Sequence, residues 1–118
     1  KIAYNRDWML RIIDIKKAIE SRGYPKDIQS TLTLNYEDPI LPQNSGTWAI
    51  EISEGKGMVS KSNLPGLTLG PRGLAPLYTS HLTAFDIKNM GLIEGSSDEL
   101  ARASLIFSGP KPWIGDQF

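Results

Sequence analysis

Apolar positions along the first half of the chain follow two rhythms, one helical and one alternating. Trp8-Met9-Leu10-Arg11-Ile12-Ile13 is apolar on both faces except at Arg11, the pattern of a buried strand. Asp14 follows and suits a helix N-cap. Ile15, Ala18, Ile19 and Arg22 then recur at helical spacing, with Gly23 placed for C′ and Pro25 beyond it, so the spacing predicts one short helix over Asp14 to Arg22. Thr31 to Tyr36 alternates, with Leu32, Leu34 and Tyr36 on one face and Thr31, Thr33 and Asn35 on the other. Trp48 to Ser53 alternates as well, turning Trp48, Ile50 and Ile52 inward. Asp38-Pro39 and Asn44-Ser45-Gly46 mark the loop between these strands. Gly55-Lys56-Gly57 predicts a tight turn into a further strand over Met58 to Lys61. The simplest arrangement is an antiparallel meander open to solvent on one face.

In the second half the helical rhythm takes over. Leu67-Thr68-Leu69 is a short fifth strand. Gly70-Pro71 opens a helical turn carrying Leu74, Leu77 and Tyr78, with Pro76 limiting its length. Thr83 to Met90 is predicted helical and closed by Gly91, with apolar positions Ala84, Phe85, Ile87 and Met90. Ser96-Ser97-Asp98-Glu99 has the capping-box pattern, and Leu100, Ala103 and Phe107 line the helix that follows. Ser108 to Phe118 is a tail. The order predicts one α+β domain over 1–118: a mainly antiparallel sheet of about five strands with helices packed on one face.

Composition narrows the function. Lys plus Arg equals Asp plus Glu at 13 each, which argues against a nucleic-acid binder working by bulk charge. The chain has no cysteine, which excludes disulfides, thiolate nucleophiles and Cys-ligated metals and fits a cytoplasmic protein. No apolar run reaches the roughly 18 residues of a membrane span. No signal peptide is legible, and the chain opens on Lys1 rather than Met, the expectation for a segment of a longer protein. His81, the single histidine, is read as a surface or capping residue, and no second His or paired carboxylates support a metal site. Asp14 is read as an N-cap and Asp38 as a turn residue. Trp8, Trp48 and Tyr36 are read as core, and Lys16, Lys17 and Lys26 as a solvated face. Arg11 is left two readings, an ion pair across the sheet or a contact with a neighbouring domain.

Several segments resemble one family. Met9-Leu10-Arg11-Ile12-Ile13-Asp14, followed by Ala18-Ile19-Glu20-Ser21-Arg22-Gly23-Tyr24-Pro25, is similar to the opening of the C-terminal domain of Eis (enhanced intracellular survival) acetyltransferases. Gly73-Leu74-Ala75-Pro76-Leu77-Tyr78 and Asn89-Met90-Gly91-Leu92-Ile93-Glu94 resemble later helix segments there. Phe107-Ser108 and Pro112-Trp113-Ile114-Gly115-Asp116-Gln117-Phe118 resemble the closing segment.

The resemblance implies a sterol-carrier-like fold at the C-terminal end of a GNAT-type N-acetyltransferase. It implies upstream GNAT domains as partners in the same chain, acetyl-CoA bound by the first of them, an amine small molecule as acceptor, and a homo-oligomer. This domain would wall the acceptor pocket. The Phe118 carboxylate would act as general base, with Trp113 and Asp116 supporting the tail; the family's tyrosine acid has no counterpart here. One departure is large: the family's Arg/Gln-x-x-Gly-x-Gly/Ala loop for acetyl-CoA is missing, and at Gly70-Pro71-Arg72-Gly73 the proline removes an amide donor. The domain is therefore expected not to catalyse acetylation alone. A free α-carboxyl, with a reference pKa of about 3.3–3.7, is a weak base that burial would strengthen. Two other functions fit the same sequence: a lipid or sterol carrier with an apolar cavity, and a purely structural oligomerisation domain.

Overall fold

The computed structural model describes residues 3, 4, 10–12 and 14–108. Ala3–Tyr4 (β1) and Leu10–Arg11 (β2) form a small antiparallel pair, with Ala3 opposite Arg11. The strand expected from Trp8 to Ile13 is seen in this part; Trp8, Met9 and Ile13 are outside the described residues.

Helix α1 spans Ile15–Ser21 and starts where the sequence predicts, with the Asp14 side chain accepting the Lys17 N–H at 3.0 Å. Its end differs. Arg22 is the C-cap in an extended conformation (φ −78°, ψ 147°), and Gly23 is absent from the positive-φ glycines. The physical reason is tertiary: Tyr24 N–H is donated to Gly55 O at 3.0 Å, which draws the chain out into an extended run.

The main sheet contains Ser30–Tyr36 (β3), Gly46–Ser53 (β4), Lys56–Lys61 (β5), Leu67–Leu69 (β6) and Ile93–Glu94 (β7), in the order β5-β4-β3-β6-β7. The alternation predicted for β3 and β4 holds, with Leu32, Leu34, Tyr36, Trp48, Ile50 and Ile52 all buried. Their odd-numbered neighbours leave the opposite face open. The β4–β5 turn lies earlier than Gly55-Lys56-Gly57: Glu54 (φ 53°) and Gly55 (φ 80°) take the two left-handed positions of a tight hairpin turn. Gly57 is in the strand itself, where an added Cβ would stand 2.9 Å from the Tyr24 ring.

The sheet is not a pure meander. After β5 the chain crosses back, and β6 pairs with β3 in parallel, Leu34 opposite Leu67; β7 then adds antiparallel to β6. The fold class is therefore α+β with a mixed, mostly antiparallel five-stranded sheet.

Helix α2, Pro71–Tyr78, runs through Pro76 rather than stopping there. Pro76 removes one helical hydrogen bond, but its own carbonyl accepts both His81 N–H and Leu82 N–H after the helix ends. Helix α3, Ala84–Asn89, has a capping box built from Thr83 and Asp86, and Gly91 (φ 78°) closes it. Ala84 and Ile87 are buried, whereas Phe85 and Met90, both expected on the apolar face, are exposed: six residues present only one narrow stripe inward. Helix α4, Ser97–Ile106, carries the predicted box, with Ser96 Oγ accepting Glu99 N–H and Glu99 accepting Ser96 N–H. One apolar cluster joins the inward strand residues to Ile15, Ile19, Leu74, Leu77, Ile87 and Leu100.

Candidate functional site

The helices end close together. Arg22, at the end of α1, is only 3% exposed. Its Nε donates to Tyr78 O at 2.8 Å, in the last turn of α2. Its Nη2 donates to Phe107 O at 3.3 Å, at the C-cap of α4, and to Ser80 Oγ at 2.7 Å; Nη1 donates to Gly23 O at 2.7 Å. Helix C-termini carry unpaired carbonyls and partial negative charge, so a buried guanidinium between them satisfies both its donors and its charge. No carboxylate is within salt-bridge distance of Arg22 among the described residues. Instead Tyr24, Phe107 and Tyr78 present their rings at 5.1, 5.2 and 5.8 Å from the guanidinium carbon.

Burial lowers the Arg22 pKa from its ordinary value, with Tyr24 and Tyr78 acting in the opposite direction. Burial likewise raises both phenols, Tyr78 to about 12 and Tyr24 further still. Both phenols are therefore neutral donors at neutral pH, Tyr24 to Ile19 O at 2.6 Å and Tyr78 to Ala18 O at 2.9 Å.

Ser80 completes the cluster. Among the described residues it is one of two non-glycine residues with positive φ, at 60°. Its hydroxyl accepts from Arg22 and donates to Phe107 O at 2.6 Å. The chain leaves α4 directly after this point. Sequence reasoning missed Arg22, although it left a signal: Arg22 occupies the next position of the stripe Ile15, Ala18, Ile19, where an apolar residue is expected.

The residues singled out in the sequence are placed as follows. Phe118, Trp113 and Asp116 lie outside the described residues. Asp14 caps α1. Asp38 is a buried turn residue whose Oδ1 accepts Ile40 N–H and Leu41 N–H. Trp48 and Tyr36 are core, and Trp48 Nε1 donates to Asn44 O at 2.9 Å. His81, Lys16, Lys17 and Lys26 are exposed. In the Gly70-Pro71-Arg72-Gly73 turn, Gly73 N–H and Leu74 N–H are donated to Gly70 O, and Pro71 has none to give. Among the described residues, no cluster of His, Asp and Glu could hold a metal ion, and no helix is long and apolar enough to cross a membrane. Gln29, Ser30, Thr31, Glu51, Ile52 and Ser53 line an open groove of about 320 Å³ at one end of β3 and β4.

Among curated proteins, none matches this chain. Solved structures do. A GCN5-related N-acetyltransferase from Anabaena variabilis is 37% identical with a TM-score of 0.83, and one from Kribbella flavida is 31% identical with a TM-score of 0.80. Each match covers 92% of this chain and 28% of the solved one. Eis1 from Mycobacterium abscessus, 23% identical over 92% of this chain and 27% of its own, shares the fold with a TM-score of 0.72. The chain thus spans little more than a quarter of these structures' length. The sterol carrier protein domain family matches residues 15–115, nearly the whole chain, and the chain belongs to that family.

Proposed function

We propose that this chain is the sterol-carrier-like C-terminal domain of an acetyl-CoA-dependent amine N-acetyltransferase. The observation that carries the reading is the pair of GCN5-related N-acetyltransferases, at 37% and 31% identity, that match 92% of this chain. In this reading the acetyl-CoA loop and the tyrosine acid belong to GNAT domains upstream. The domain walls the acceptor pocket. The Phe118 carboxylate takes the proton from the acceptor ammonium, which must be lost before the amine attacks the thioester. Trp113 and Asp116 hold the tail, the protein is cytoplasmic, and the full-length protein is a homo-oligomer.

The test uses the full-length protein, with acetyl-CoA and two amine probes, kanamycin and lysinamide, followed by release of free CoA thiol. Turnover with either probe, lost on deleting Phe118 while the melting temperature holds, is the expected result. No turnover with either, or a kcat indifferent to the deletion, sinks the reading.

The family relationship also favours a second reading, a lipid carrier. A carrier needs an enclosed apolar cavity. The groove beside Thr31 and Glu51 is open rather than enclosed, which weighs against its being that cavity. Saturable binding of a fluorescent fatty acid to the full-length protein would establish the carrier; its absence removes it.

A further inference from the structure

The loop joining β3 to β4 carries an apolar tip. Pro39, Ile40 and Pro42 are exposed and Leu41 is half-buried, a run of consecutive apolar residues in which Ile40 is 70% exposed. Residues 39–50 carry no charge. Apolar side chains scattered singly over a surface need no explanation, but an exposed run of this length is unfavourable unless it has a use.

The tip is also braced. Asp38, only 4% exposed, accepts Ile40 N–H at 3.0 Å and Leu41 N–H at 2.9 Å through one carboxylate oxygen. Ser45 Oγ accepts Asp38 N–H at 2.8 Å and donates to Asp38 O at 3.2 Å, closing the loop across its base. Pro39 has a fixed φ beside Ile40, and Pro42 opens a single 3₁₀ turn, Pro42–Asn44, whose Asn44 side chain is bonded to Ile12 O and Ile15 N–H. The main-chain N–H groups of Ile40 and Leu41 are thus satisfied within the loop, and the surface presented to solvent there is hydrocarbon. An apolar side chain on a preordered loop binds without the entropy loss of ordering that loop, which is what an anchor residue needs.

We infer that Ile40 is an anchor that seats in an apolar pocket of another domain of the same polypeptide. The inference rests on the reading of this chain as one domain of a longer protein, in line with its spanning 28% of each of the two similar acetyltransferases. Magnitude selects the tethered partner. Burying one isoleucine strengthens an association by about ten- to a hundredfold, whereas a micromolar complex between free molecules needs about a millionfold. A partner in the same chain is already close, so the contact has only to bias one arrangement of joined domains over another, and for that it suffices. A membrane fits the tip less well, because lipid-binding surfaces pair their apolar residues with Lys or Arg, and residues 39–50 have neither.

The test is hydroxyl-radical footprinting of the full-length protein, read by mass spectrometry at Ile40 and scaled to the same residue in the urea-denatured protein. Protection of about threefold or more is expected, because an anchor side chain is fully desolvated. A side chain left 70% exposed, as in this chain alone, would fall well short of that. Ile40→Ser should then lower the melting temperature of the full-length protein by about 2–5 °C, and Ile40→Val, which keeps most of the apolar surface, by less than half as much. At a site that stays in solvent the same Ile40→Ser change would shift it by no more than about 1 °C.

Weaker protection, or an Ile40→Ser protein that melts with the wild type, overturns the inference. So does protection lost on dilution to the monomer, which would assign the tip to a second copy of the chain. Protection gained only on adding phosphatidylcholine–phosphatidylglycerol vesicles overturns it as well and assigns the tip to a membrane. Turnover is no part of the readout, so a full-length protein that acetylates neither amine probe but protects Ile40 sinks the acetyltransferase reading and leaves this one standing.

Discussion

Glu20 Oε2 accepts the backbone N–H of Val59 at 2.9 Å, so a carboxylate from helix α1 pairs with the outer edge of strand β5. β5 is the terminal strand of the sheet, and an open strand edge invites pairing with another chain. Glu20 occupies one of its donors. Lys16 in turn stands 3.7 Å from the other Glu20 oxygen, one helical turn back on α1.

Glu20→Ala should therefore do two things. It leaves Val59 N–H without its acceptor, costing about 1 kcal/mol, and it opens the β5 edge. The expected result is a lower urea midpoint with an unchanged m-value, together with increased association at high concentration by light scattering. Glu20→Gln keeps an acceptor oxygen and should recover most of both. A Glu20→Ala protein as stable and as monodisperse as wild type would show that the edge needs no such cover.

Arg22 carries a larger share of stability. Arg22→Met fills similar space but removes the guanidinium donor from the buried Tyr78 O and from the partly buried Gly23 O and Ser80 Oγ. Each orphaned group costs about 1–3 kcal/mol, so a loss of about 3 kcal/mol or more is expected in urea unfolding. Arg22→Lys keeps the charge but cannot reproduce the planar fork that reaches three elements, and should recover only part. Full recovery by lysine would mean that charge alone, rather than the fork, satisfies the helix ends.

The difference between what the sequence disclosed and what it hid follows from the range of the interactions. Leu32, Leu34 and Tyr36 announced their strand because one face of the sheet is open, and an open face forces strict alternation. Ser96 and Glu99 announced the start of α4 because a capping box is a contact over three residues. The parallel pairing of Leu67 with Leu34 has no such local signature, since it depends on the chain returning past β4 and β5. β7 has two residues, too few to show any period. Arg22 was read as one more position on a helix face because three of its four partners lie 56 to 85 residues away. The candidate site was legible only through its family resemblance, and Phe118, Trp113 and Asp116 lie outside the described residues.

Gly66 is where the crossover meets the sheet. A Cβ added there would collide with the Thr33 carbonyl, a backbone group that cannot swing aside. Thr33 precedes Leu34, the first residue of β3 to pair with β6. Gly66→Ala should push β6 off β3 and cost about 1–3 kcal/mol, as overpacking does. Amide exchange should locate the damage, with protection falling in β6 and β7 before β4 and β5. Uniform loss across the sheet would mean that β6 and β7 do not form the weaker unit.

Two of the buried phenols, Tyr24 and Tyr78, set an alkaline limit. In the unfolded chain a tyrosine ionises near pH 10, whereas burial raises Tyr78 to about 12 in the folded protein and Tyr24 further. A folded pKa above the unfolded one means that the folded state binds the proton more tightly. The resulting stability is fully present below about pH 10 and is lost as pH rises through the folded values. Between about pH 6 and 9 neither phenol should contribute any slope. Above about pH 10 the unfolded state releases protons that the fold retains, and stability should decline. Tyr78→Phe removes one of these groups, together with its bond to Ala18 O. It should start less stable by about 1 kcal/mol at pH 8 and fall less steeply between pH 10 and 11.5. Urea midpoints measured across that range give the slope for both proteins, and parallel curves would show that Tyr78 ionises in the folded state as readily as in the unfolded one.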